Sequence, residues 1–65
     1  MAVFIRNRRT GRLYGGYNRW VTESARAFDF EIAPRAVHWI NTVHLGEAEI
    51  VRSFGDRLRR ITFKV

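Results

Sequence analysis

The stretch Pro34-Arg35-Ala36-Val37-His38-Trp39-Ile40-Asn41-Thr42-Val43-His44 decides the fold. Pro34 suits the first position of a helix, where the N–H it lacks has no intrahelical partner in any case. Ala36, Val37, Ile40 and Val43 then recur at helical spacing and make one apolar stripe. Gly46 stands where a glycine commonly closes a helix C-terminus.

On both sides of this helix the period changes from near four to two. Val3-Phe4-Ile5-Arg6 predicts a strand. Asn7-Arg8-Arg9-Thr10-Gly11 is a turn in which Gly11 supplies the positive φ of a bulged hairpin, and Arg12-Leu13-Tyr14-Gly15 is the returning strand. The pair Gly15-Gly16 marks a kink or a close backbone approach, and Trp20-Val21 resumes an extended path. Thr22 is an N-cap for a short helix over 23–28, with Arg26 placed to favour the helix dipole. Phe28-Asp29-Phe30-Glu31-Ile32 alternates apolar and acidic residues, as a short extended segment would.

Beyond the main helix, Ala48 to Ser53 predicts a third strand, Phe54 to Arg57 a turn, and Leu58 to Val65 a fourth strand. The expected fold is therefore α+β: a small antiparallel sheet of three to four strands with one main helix packed on one face. Its order is ββαββ-like, with a short helix near 23–28.

The chain has 65 residues, which fits a single domain over 1–65. So short a chain buries a modest fraction of its surface, so most of its nine aromatic rings are needed in the core. Oligomerisation would relieve the same shortage. The absence of cysteine excludes disulfides, thiolate catalysis and cysteine zinc sites, and favours a cytoplasmic protein. No apolar run reaches the ~18–20 residues of a membrane span, and the opening Met1-Ala2-Val3-Phe4-Ile5 is too short for a signal peptide. Met1 reads as the natural start.

The formal charge is +6, and it is uneven. Residues 1–20 carry +5 with no acid, 21–31 carry −2, 32–46 carry +1 and 47–65 carry +2. Basic clusters are the footprint of a polyanion binder. Eleven of the twelve basic residues are arginine, which suits planar phosphate and base recognition but equally follows codon bias in a GC-rich genome.

Alternation makes this concrete. If Val3, Ile5, Leu13, Ile61 and Phe63 face the helix, then Phe4, Arg6, Arg12, Tyr14, Arg60, Thr62 and Lys64 share the open face. Arg8 and Arg9 extend that surface at the turn, with Arg19 near it. The expected nucleic-acid-binding residues are thus Arg6, Arg8, Arg9, Arg12, Tyr14, Arg19, Arg60 and Lys64, with rings taking bases and guanidinium groups taking phosphates. The competing reading is a solvated or oligomer-covered sheet face. For a protein partner or a second copy, Phe4 and Trp39 are the expected interface anchors.

Other chemistry is poorly provided for. His38 and His44 are six apart, on different helix faces, and have no convergent partner for zinc. Ser24 and Ser53 lack a nearby histidine–acid pair, and Gly15-Gly16 lacks the lysine of a phosphate loop. No metal, cofactor, small-molecule substrate or enzymatic activity is expected.

The layout Phe4-Ile5-Arg6-Asn7, Thr10-Gly11, Gly15-Gly16-Tyr17, Trp20-Val21 and Ala25-Arg26-Ala27-Phe28 resembles short uncharacterised proteins of bacteria and their phages. The resemblance covers about the first half of the chain. It implies an accessory or mobile-element protein and brings no assigned activity or functional residue with it.

Overall fold

The computed structural model describes residues 2–55 and 57–61. Among these residues five strands, β1 Val3–Asn7, β2 Leu13–Gly16, β3 Arg19–Val21, β4 Ala48–Phe54 and β5 Arg57–Ile61, form one antiparallel sheet in the order β3-β2-β1-β4-β5. One α-helix, α1 Ala33–Val43, lies between β3 and β4 in the chain. The class is α+β with a small sheet. The expected three or four strands become five because Arg19–Val21 pairs with β2. The chain order is accordingly three strands, a turn, the helix and two strands.

Each hairpin has a local cause. Between β1 and β2, the Asn7 side-chain oxygen accepts from the backbone N–H groups of Arg9 and Thr10, and Gly11 takes φ +76°. Between β2 and β3 the turn has only two residues, Tyr17 and Asn18, both in the left-handed region at φ 52° and 60°. That is the signature of a type I′ turn, which matches strand twist. Gly16 at φ +85° precedes it, and the register shifts between Tyr14 and Gly16, leaving Gly15 as a bulge.

The helix begins one residue before Pro34 and ends at Val43, with His44 rather than Gly46 as its left-handed cap at φ 52°. Val43 is largely exposed, so the buried stripe runs instead through Ala33, Ala36, Val37, Trp39 and Ile40. The expected helix over 23–28 shrinks to a single 3₁₀ turn, Ser24–Arg26, with no side-chain cap. The segment 28–32 joins no strand, and Glu31 there takes φ 69°.

Both faces of the sheet are packed. On one, Ala36 of α1 joins Val3, Ile5, Tyr14, Phe30 and Ile50. On the other, Phe4, Leu13 and Val51 are buried together, flanked by Ala2, Val21, Ala27 and Leu58. This explains why Val3, Phe4 and Ile5 are buried consecutively on the central strand instead of alternating.

The register corrects the sequence reading at one step. Arg6 stands opposite Leu13, so Leu13 belongs with Phe4 and Arg6, and Tyr14 belongs with the helix side. A one-residue difference in register exchanges the two faces of a strand. Ile61 and Arg60 fall on the faces expected for them, opposite Ile50 and Val51 respectively. Thr62, Phe63, Lys64 and Val65 lie outside the described residues.

Strands β1 and β2 are paired only at Arg6 and Leu13. Beyond that point the arms fork, and the segment 28–30 fills the fork. Phe28 N–H donates to the Tyr14 carbonyl and Phe30 N–H to the Val3 carbonyl, each at 2.8 Å. The Asp29 carboxylate accepts from Val3 N–H at 3.0 Å and from Glu31 N–H at 2.7 Å. A Cβ on Gly15 would lie 2.9 Å from Val21 Cγ1 and 3.4 Å from the Arg26 carbonyl oxygen, so glycine lets this segment run close. The chain thereby passes from Ala27 on one face to Phe30 on the other. Among the described residues no helix is long and apolar enough to cross a membrane.

Candidate functional site

The fork brings Phe28 and Phe30 against Tyr14, and α1 adds Trp39. Tyr14 is the hub: its ring centroid is 4.3 Å from Trp39, 5.7 Å from Trp20, 6.2 Å from Phe30 and 6.4 Å from Phe28. Phe28 and Phe30 meet edge to face at 4.8 Å. Most of these pairs are tilted or edge-on, the geometries favoured by aromatic quadrupoles.

This cluster does not close over itself. Tyr14, Gly16, Tyr17, Phe28, Phe30 and Trp39 line an open hollow of about 350 Å³. Tyr17 is 96% exposed on its rim and Phe28 is 48% exposed. Tyr17 also holds a left-handed backbone, where Asn, Asp and Gly are preferred and a bulky residue is strained by roughly 1–2 kcal/mol. A large ring kept exposed in a strained turn has no packing role to account for it, and such outliers concentrate at ligand sites.

A second hollow of about 210 Å³ is lined by Arg12, Trp20, Val21, Thr22, Glu23 and Arg26, and its Trp20 meets Tyr14 of the first edge to face. Arg19 stands on β3 opposite Gly16, which lines the aromatic hollow. Arg12, Arg19 and Arg26 are all exposed. Among the described residues, none of the three forms an ion pair. Near the edge formed by β2 and β3, Arg12 and Arg26 thus share the second hollow with Glu23, and Arg19 follows the turn that carries the exposed Tyr17, none of the three in an ion pair among the described residues.

The rest of the expected basic surface is different. Arg6 Nε donates to Glu49 Oε1 at 2.6 Å, and an Arg60 terminal nitrogen is 3.7 Å from Glu49 Oε2. Glu49, whose side chain is only 12% exposed, is thus shared by two of the arginines assigned to the open face. Arg9 lies 3.8 Å from Glu47, while Arg8 is exposed at the same turn and anchors it by donating its backbone N–H to the Glu47 carbonyl. Tyr14, 8% exposed, faces the helix side rather than the open face. Phe4, 5% exposed, is buried and offers no surface to a partner. Trp39 is half-buried in the aromatic wall, not a free ridge. Lys64 lies outside the described residues.

Sequence reasoning missed Tyr17, Phe28 and Phe30. The signal was present: five of the nine aromatic residues fall between positions 14 and 30. Among the described residues, no group of three or more histidines and acids could hold a metal ion. No family model, curated protein or solved structure matches the chain.

Proposed function

We propose that the protein is a non-enzymatic nucleic-acid-binding domain whose contact surface is the β2–β3 edge. The observation that carries this reading is that exposed Arg12, Arg19 and Arg26, which form no ion pair among the described residues, lie near the open aromatic hollow in a chain of charge +6; Arg52, Arg57 and Arg59 form none either, so the hollow is what singles out this edge. Unneutralised arginines attract a phosphate backbone, and each phosphate engaged releases counterions. Arg8 at the neighbouring turn extends the surface. The half-buried Arg6–Glu49 pair belongs to the fold instead, because its charges are already satisfied.

The test is a fluorescence-anisotropy titration of a labelled single-stranded oligonucleotide over a series of salt concentrations. Affinity is expected to fall with salt by a slope of about 0.7 per phosphate contacted. The combined variant Arg12→Gln, Arg19→Gln, Arg26→Gln is expected to weaken binding by at least about tenfold at low salt and to reduce the slope by about 2. No binding at low salt, or an unchanged slope in a folded triple variant, overturns the reading.

A further inference from the structure

We infer that the hollow between Tyr14, Tyr17, Phe28, Phe30 and Trp39 is a binding site for one unpaired nucleobase of a single strand. This rests on the nucleic-acid reading above and adds to it a discrimination that arginines alone do not give.

The size and shape of the hollow come first. Its volume of about 350 Å³ lies at the lower end of the ~300–1,000 Å³ of small-molecule sites, enough for a flat ring system and little more. Its lining is almost wholly aromatic, so a planar ligand finds faces and edges to stack on. Tyr17 and Phe28 at the rim are exposed and can cover an inserted ring without rearrangement of the core.

Charge then selects among planar or aromatic-seeking ligands. Aromatic cages also attract quaternary ammonium groups, but no carboxylate lines this hollow. The nearest acids in sequence are committed: Asp29 to the backbone N–H groups of Val3 and Glu31, and Glu31 to Arg35 at 2.9 Å. Arg19, opposite Gly16, and the +6 net charge disfavour a cation further. A ring attached to an anionic backbone fits both features: the ring enters the hollow, and phosphates farther along the strand reach the exposed Arg19, which follows the Tyr17–Asn18 turn, and Arg26 in the neighbouring hollow. A base held in a duplex cannot enter without leaving its stack, so the site discriminates in favour of single strands.

An abasic oligonucleotide separates the two claims, since it keeps every phosphate and lacks the ring. Binding of a labelled homopolymeric strand, of the same strand made wholly abasic, and of a duplex would be measured at one low salt concentration. The intact strand is expected to bind on the order of tenfold more tightly than the abasic one, as base–aromatic stacking predicts, with quenching of tryptophan fluorescence. Tyr17→Asn, at an exposed turn position that asparagine favours, is expected to remove most of that difference and leave abasic binding intact. Phe28→Ala is expected to act in the same direction. Equal, salt-sensitive binding of intact and abasic strands overturns the base site and leaves the basic edge standing. Failure of all three ligands to bind overturns both.

Discussion

The arginines on the two sides of the sheet have different neighbours. On the β1–β4–β5 side, Arg6 and Arg60 converge on Glu49, a carboxylate set into the sheet surface between them. On the β2–β3 side, Arg12, Arg19 and Arg26 stand beside rings and have no carboxylate partner among the described residues. The first arrangement ties three strands together around one carboxylate. The second leaves charge available to a ligand. In a chain this basic, neither the count of arginines nor their pairing alone locates the proposed binding surface, since Arg52, Arg57 and Arg59 of β4 and β5 also form no ion pair among the described residues; the aromatic hollow beside the β2–β3 edge singles that edge out.

The comparison can be broken most severely at Tyr14. This ring touches Trp20, Phe28, Phe30 and Trp39, so Tyr14→Ala removes the centre of the aromatic wall. By analogy with other buried aromatics it is expected to cost about 3–5 kcal/mol, which in a domain this small approaches the whole of its stability. Urea denaturation followed by circular dichroism measures it. A loss below about 1 kcal/mol would show that Tyr14 is not the keystone described.

Glu49→Gln probes the opposite region. It leaves Arg6 half-buried without a counter-charge and is expected to lower stability by about 1–3 kcal/mol. Because it also frees two arginines, affinity for a single strand is expected to stay level or rise by a small factor, about twofold. A fall in affinity without unfolding would place the contact surface on the Glu49 side. The smallest stability effect belongs to Tyr17→Asn, expected to raise stability by about 0.5–1 kcal/mol because asparagine tolerates the left-handed turn position. A variant that gains stability while losing base-dependent binding is the pattern expected of a strained functional residue.

Much of this fold was legible in the sequence. The helix is announced by Pro34 and its apolar stripe, the first hairpin by Asn7 and Gly11, and β4 by the β-branched pair Ile50-Val51. What alternation could not supply was the phase of β2 relative to β1, which depends on how many residues the turn consumes. Setting Leu13 on the helix face put Tyr14 on the open face, whereas the pairing of Arg6 with Leu13 turns it toward the helix. Nor could local pattern show that the segment 28–30 enters the fork, since its hydrogen bonds reach Val3 and Tyr14 across the chain. That non-local step assembles the aromatic hollow. Glu49 was visible as an acid among bases, but its partner Arg6 is 43 residues away.

The central claim is that the ligand surface is the β2–β3 edge with its aromatic hollow. Chemical-shift mapping of the isotopically labelled protein, titrated with a short single-stranded oligonucleotide, tests it most directly. The largest shifts are expected at Tyr17, Arg19, Arg26 and Phe28 and at the indole N–H groups of Trp20 and Trp39, with Arg6, Glu49 and Val51 little changed. Shifts concentrated at Arg6, Glu49 and Arg60, with the Trp39 indole undisturbed, would contradict it.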